Sequence, residues 1–253
     1  MEIIDITVHT LSRPANIAIC QKKLGSFLND EEKEAMHNFN PHFLCLPELF
    51  FVNDNMKNYT DASQFHNEGK EYLRVLSLQL MTVVIGGTLI LKENNNFKSI
   101  SYVFEKGEEI GHYAKINLTE NEKRNGFVKG IGHFHFKRNN LTCSILICND
   151  IFSEQGFHWA RENKIDIIFM PTGSPYKPAE TVAEKFQRDN NLYTAMAEIS
   201  NGVIVKVCGI GTVFEQRLQG RSLLASPKGI LYRVAPEQEM EEHIIGLSVN
   251  SGQ

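Results

Sequence analysis

The sequence has 253 residues, of which 42% are hydrophobic, 9% aromatic and 22% charged; this is the composition of a globular protein and excludes disordered, collagen-like and coiled-coil chains. Against 30 Asp and Glu stand 26 Lys and Arg, a formal charge of −4, so nothing electrostatic calls for nucleic acid or an anionic membrane as a partner. At about 150 residues per domain the length allows one or two; without a linker, repeat or low-complexity tract, one domain over residues 1–253 is expected.

Runs of β-branched and apolar residues predict strands at 3–8 and 17–20, followed by a helix over 30–38 that Asn29 caps, with Glu32 three positions on. A strand at 43–46 and a helix over 68–80 come next, then strands at 82–91, 99–104, 109–113, 132–136 and 141–147. A helix over 154–162, a strand at 165–170 and a long helix over 180–200 lead to strands at 202–207, 221–225 and 243–249. Two adjacent pairs read as hairpins, 99–104 with 109–113 across Lys106-Gly107, and 132–136 with 141–147 across 137–140. Continuous apolar runs beside hairpins point to α/β layers around sheets of mixed strand direction.

The most apolar stretch, 82–91, is shorter than the roughly 18 to 20 residues of a bilayer-spanning helix. The N-terminus MEIIDITVHT has neither a basic leader nor an apolar core, so no secretory signal is read there and a cytoplasmic location is expected. Five cysteines, none in a CxxC pair, suggest reduced thiols.

Three segments place a reactive side chain at the end of a strand-like run, where an α/β sheet opens its binding crevice. In Phe43-Leu44-Cys45-Leu46-Pro47-Glu48-Leu49-Phe50, Pro47 ends the ladder and delivers Glu48 among apolar neighbours, the setting of a general base or of a glutamate that merely caps a loop. In Gly111-His112-Tyr113-Ala114-Lys115-Ile116-Asn117-Leu118 a strand ends at Lys115, either a fixed cation or a solvated one. In Cys143-Ser144-Ile145-Leu146-Ile147-Cys148-Asn149-Asp150, Cys148 stands at a strand-to-helix turn whose backbone N–H groups favour a thiolate and an oxyanion, whereas Cys143 reads as a buried core thiol.

Together these segments resemble the nitrilase or carbon–nitrogen hydrolase superfamily, whose Glu-Lys-Cys triad lies in patterns similar to PELF at 47–50, KINL at 115–118 and CND at 148–150. The likeness extends to IAICQ at 17–21, DIIFMPTGS at 166–174, Ala197-Glu198 with Asn201, and GRSLLASPKG at 220–229. Two departures are a short segment between Gln21 and Pro47 and Cys208 where many members carry asparagine. The resemblance implies an α/β four-layer α-β-β-α sandwich that pairs as a homodimer, needs no cofactor and binds no metal.

It further implies that Cys148 attacks a small carboxamide or N-carbamoyl compound and forms a thioester, that Glu48 moves the proton, and that Lys115 offsets charge and steadies the oxyanion with a backbone N–H near Asn149. A second carboxylate is expected at Glu122, with Glu120 as the alternative; Asp150 is expected to hold the turn. Phe51, Phe152, Thr172 and Ser174 are candidate pocket residues. Asn149-Asp150 after the cysteine favours an amide over a nitrile, and a catalytically silent ligand-binding member is the other reading. Weaker patterns are a Cys148 paired with His112 or His158, the His133-x-His135 pair, and Gly209-Ile210-Gly211, which reads as a turn.

Overall fold

The computed structural model describes residues 1–252. One sheet runs, in spatial order, Glu2–Val8, His243–Ser251, Ala15–Gln21, Phe43–Cys45, Val83–Ile85, Asn96–Glu105 and Leu89–Glu93, with Glu108–Ala114 paired to Asn96–Glu105. The second runs Gly229–Arg233, Leu223–Ser226, Val203–Cys208, Ile167–Thr172, Leu141–Ile145 and His135–Arg138. Both mix parallel and antiparallel pairs, as the sequence pattern implies.

Strand parity explains how continuous apolar runs serve two faces, because successive side chains point to opposite sides of a sheet. In the first sheet Ile17, Phe43 and Val83 lie side by side, as do Ile19, Cys45 and Ile85. These rows share a core with Cys143, Ile145, Ile167 and Phe169 of the second sheet, and the Phe43 and Phe169 rings meet at 5.3 Å. The intervening residues Ala18, Cys20, Leu44, Leu46 and Val84 face the other way. They pack on Met36 of helix Asp30–Phe39 and on Leu73, Leu76 and Leu80 of helix His66–Leu80. Phe157 and Ala160 of helix Glu154–Glu162, with Tyr193, Met196 and Ala197 of helix Val182–Ser200, join the core of the second sheet. The order is helix, sheet, sheet, helix, the expected four layers.

Local signals act where they were read. Asn29 Oδ1 accepts from Glu32 N at 2.9 Å and Glu32 Oε2 accepts from Asn29 N at 2.9 Å, a closed capping box. The hairpin at Lys106-Gly107 turns through φ of 51° and 81°, the left-handed pair a two-residue turn needs. The second hairpin differs from expectation. Its first strand is His135–Arg138 rather than 132–136, and its turn is Asn139-Asn140 at φ 53° and 57°. Asparagine tolerates that conformation, so the ladder runs on through Lys137 and Arg138.

The run 82–91 is likewise two strands rather than one, Val83–Ile85 and Leu89–Glu93, broken at Gly86-Gly87. Gly87 sits at φ 61° and a Cβ there would run into the Pro47 carbonyl oxygen, so the break lets the chain pass directly beneath the Pro47-Glu48 bend. Helix Tyr59–Gln64 and strands Gly211–Val213, Gln216–Leu218 and Gly229–Arg233 were not anticipated; each is six residues or fewer. The consequence of the close approach is testable by Gly87→Ala. A left-handed non-glycine residue costs about 1–2 kcal/mol before the clash is counted, so a thermal melt should show a fall in Tm of roughly 4–8 °C for about 2 kcal/mol.

Candidate active site

Four strand ends converge. The chain leaving Phe43–Cys45 bonds Leu46 N to Ile85 O at 2.9 Å, then bends at Pro47. Leu49 takes φ 58°, fixed by its N–H donating to Thr88 Oγ1 at 2.8 Å. Glu48 is thereby turned inward and is 6% exposed.

Lys115 follows strand Glu108–Ala114. Its backbone N–H donates to Ser99 O at 3.0 Å and its carbonyl accepts from Gly130 N at 2.9 Å. The ammonium is buried between two carboxylates, donating to Glu48 Oε1 at 2.9 Å and to Glu122 Oε1 at 2.8 Å. Glu122 lies in the short helix Glu120–Arg124, where its other oxygen accepts from Thr119 N at 2.7 Å and Thr119 Oγ1 at 3.0 Å. The alternative, Glu120, is exposed and pairs with Lys123 at 2.7 Å. Thus the second carboxylate brought to Lys115 is Glu122, because the capping box that starts the helix aims it there.

Cys148 opens a 3-10 turn, Cys148–Phe152, at φ 44°. A non-glycine residue in this conformation needs outside support, and Asp150 supplies it. Asp150 Oδ2 accepts from Ile147 N at 2.7 Å and from the Tyr113 hydroxyl at 2.9 Å, while Oδ1 accepts from Asn117 N at 2.7 Å. Asn117 and Asn149 add a reciprocal clamp, with Asn117 Nδ2 donating to Asn149 O at 2.7 Å and Asn149 Nδ2 to Asn117 O at 3.2 Å. Asp150 therefore holds the turn, and it also locks the cysteine segment to the lysine segment. Burial pushes the Asp150 carboxyl up, against the pull of those donors.

The fourth strand end, after Ile167–Thr172, supplies Gly173. Its N–H donates to Glu48 Oε2 at 2.8 Å, and its carbonyl lies 3.6 Å from Cys148 Sγ in position to accept the thiol proton's hydrogen bond. Gly173 was not singled out in advance, and neither were Tyr113 and Asn117. Gly173 acts through its backbone, which no residue pattern announces, whereas the Tyr113 hydroxyl at a strand end, two residues before Lys115, was an available signal.

The electrostatics follow from this packing. Burial raises the Cys148 thiol, the Glu48 charge raises it further, and Lys115 only partly opposes them; the resting side chain is a protonated thiol. Burial lowers Lys115, but the charges of Glu48 and Glu122 outweigh it and carry it well above the usual lysine range, so it stays an ammonium. The arrangement is a thiol beside a fixed carboxylate and a fixed cation, suited to moving one proton while a negative oxygen forms.

The outer pocket residues are distributed differently from expectation. Phe51 is buried in the helix-side core, its ring 5.1 Å from Phe50 and 5.9 Å from Tyr72. Phe152 ends the 3-10 turn 67% exposed. Phe51 thus packs away from the expected pocket, since adjacency to a motif in sequence does not set the direction of a ring. Thr172 and Ser174 flank Gly173, and the Thr172 hydroxyl donates back to Met170 O at 2.9 Å. His133 and His135 pack near the Trp159 ring at 4.8 and 5.9 Å, and no helix among the described residues is long and apolar enough to cross a membrane.

Similarity to known proteins agrees with this fold. An amidase from Nesterenkonia sp. superposes with a TM-score of 0.78 at 16% identity, over 95% of this chain and 92% of that one. A carbon-nitrogen hydrolase from Helicobacter pylori G27 gives a TM-score of 0.75 at 14% identity, over 93% and 89%. No curated protein matches the sequence. The profile of the family described as carbon-nitrogen hydrolase matches residues 31–251, so the chain belongs to the carbon–nitrogen hydrolase family, hydrolases of C–N bonds other than peptide bonds.

Proposed function

We propose that the protein is a cysteine-dependent amidase that cleaves a small carboxamide or N-carbamoyl compound through a thioester, with Glu48, Lys115 and Cys148 as its reacting groups. The observation that carries this reading is the Lys115 ammonium, buried between Glu48 and Glu122 beside a protonated thiol. In the first step the Cys148 S–H proton passes to Glu48 as sulfur bonds to the amide carbon, and the carbonyl electron pair becomes an oxyanion. Lys115 and a backbone N–H at Asn149 stabilise that oxygen; one such donor is typically worth about 3–4 kcal/mol. Glu48 then protonates the departing nitrogen, leaving ammonia or an amine and a thioester. Water, deprotonated by Glu48, attacks the thioester, releasing a carboxylic acid and restoring the thiol.

Relatives support a small neutral substrate. One structure of the Nesterenkonia amidase holds butyramide in a mutant lacking the cysteine, and a glutamate-to-glutamine mutant carries a Michael adduct of acrylamide on the active-site cysteine. The five unpaired cysteines fit a reducing compartment such as the cytoplasm. A homodimer follows from the family resemblance, with exposed Phe152 beside helix Glu154–Glu162 as an apolar side chain for a partner to cover.

Cys148→Ser should reduce ammonia release from carboxamides to background while leaving the far-UV circular dichroism unchanged; undiminished turnover would remove the proposal. Glu48→Gln separates proton transfer from nucleophilicity. Burial still raises the thiol, but the raising charge of Glu48 is gone while Lys115 remains, so the Cys148 pKa falls. Alkylation by iodoacetamide should therefore show its pH midpoint shifted downward, while amide hydrolysis drops by about 100-fold or more, the scale of a lost general acid–base group. An upward shift of the alkylation midpoint contradicts the charge assignment. For the dimer, light scattering should give about twice the 28.7 kDa chain mass, and a mass of one chain at working concentration argues against it.

A further inference from the structure

Gly173 meets two of the reacting groups, its N–H on Glu48 and its carbonyl on the Cys148 thiol, yet it has no side chain with which to fix itself. The residues that follow hold it. Ser174 O accepts from Gln219 N at 2.9 Å, Tyr176 N donates to Arg217 O at 2.9 Å, and Pro175 pairs with Leu218 between them. Residues 174–176 thus lie as a third strand along the hairpin of strands Gly211–Val213 and Gln216–Leu218. Pro175 O takes a side-chain donor, Gln219 Nε2 at 2.8 Å. One residue, Gln219, therefore donates to both carbonyls that follow Gly173.

The Gln219 amide has a single orientation open to it. Its Oε1 accepts from Lys185 Nζ at 2.7 Å, and an ammonium only donates, so the amide nitrogen must face Pro175 O. Lys185 is held in turn by Glu239 Oε2 at 3.0 Å, and the Glu239 carbonyl accepts from Gly220 N at 2.6 Å. Gly220 is packed so closely that a Cβ there would stand 2.1 Å from the side-chain amide carbon of Gln21. Gln21, Lys185, Gln219 and Glu239 are all buried. A buried lysine–glutamate pair is costly unless its surrounding bonds are complete, and this one completes them by orienting a neutral amide.

We propose that Gln219 is a positioning residue for amide cleavage: oriented by Lys185 and Glu239, it holds Ser174 and Pro175 so that the Gly173 N–H stays on Glu48 Oε2. This rests on the amidase reading above. In that reading Glu48 takes the thiol proton, passes it to the departing nitrogen and then deprotonates water, three transfers that need one carboxylate in one place. Lys115 holds Glu48 through Oε1 and Gly173 N holds it through Oε2. With the loop released, Glu48 keeps its contact to Lys115 and can swing about it, away from the thiol and the leaving group. Gln219 reaches the reaction only through Gly173, so its effect is on orientation and falls on the chemical steps.

The test uses two variants assayed by ammonia release from a carboxamide below the onset of each variant's thermal melt, so that unfolded enzyme does not enter. Gln219→Met keeps the side-chain length and removes both polar ends; Gln219→Glu keeps the bond to Lys185 and deletes only the donor to Pro175 O. Each should lower kcat by about 10- to 100-fold, the scale of a slightly misplaced reacting group, with KM changed by less than about threefold, the pattern of an interaction needed only in the transition state. In a Glu48→Gln background Gln219→Met should cost less than about threefold more, because the group it positions is already lost, whereas independent losses would multiply. Full kcat in either variant, a loss confined to KM, or losses that multiply in the double variant overturn the positioning role and leave the amidase reading standing. A wild type that turns over no amide overturns the amidase reading and this role with it.

Discussion

Everything at the centre of the molecule depends on one buried cation shared by two buried carboxylates. Removing Lys115, Glu48 and Glu122 from water costs several kcal/mol per ion, and only close geometry with further hydrogen bonds to the remaining carboxylate oxygens offsets it. The structure meets both conditions, with contacts of 2.9 and 2.8 Å and with the far oxygens of Glu48 and Glu122 accepting from Gly173 N and from Thr119. Lysine suits the role better than arginine. Its compact ammonium has three donors; two are taken by the glutamates, and the third is the one the proposed chemistry directs at the oxyanion.

The same network explains why the two sheets and the site require each other. Glu48 and Lys115 hang from strand ends of one sheet, Cys148 and Gly173 from strand ends of the other. The bond from Gly173 N to Glu48 Oε2 and the bonds from Asn117 N and the Tyr113 hydroxyl to Asp150 cross between them. Apolar rows such as Ile19-Cys45-Ile85 set the distance between sheets, and these polar crossings set their registration. A sheet that slid by one residue would reverse the facing rows and also break the ion triad, so packing and chemistry select the same arrangement.

What the sequence made legible is what local chemistry determines. The strands around Glu48, Lys115 and Cys148 end in residues that stop a ladder or turn sharply, and Glu122 came from the resemblance with Glu120 left open beside it, so these positions were readable from pattern and resemblance together. The contacts that were not readable are of two kinds. Gly173 contributes only an N–H and a carbonyl, which any residue owns. The aromatic rings depend on tertiary direction: Phe51 beside the PELF motif turns into the helix-side core, while Tyr59, Phe127 and Phe214, far apart in sequence, meet in a cluster of their own. The Gly86-Gly87 break was masked because apolar residues on both sides read as a single strand.

Backbone strain is distributed along the same division. Among the described residues, positive φ outside glycine falls mostly on asparagines and on helix or hairpin ends, such as Asn40, Met81, Lys106, Asn139 and Asn201, where it is ordinary. Four residues are of another kind, Leu49 and Cys148 beside the reacting groups, and Phe214 and Glu215 in a hairpin turn that lacks the asparagine or glycine such a turn prefers. At about 1–2 kcal/mol each they amount to a sizeable part of a typical net stability of 5–15 kcal/mol, so each needs a specific restraint. Leu49 has the Thr88 hydroxyl, and Cys148 has Asp150 with its three donors. The Phe214 turn has the Tyr59 ring contact, and an aromatic pair adds only about 0.5–1.5 kcal/mol beyond its buried area. The hairpin turn at Phe214-Glu215 is therefore the strained element with the weakest specific restraint.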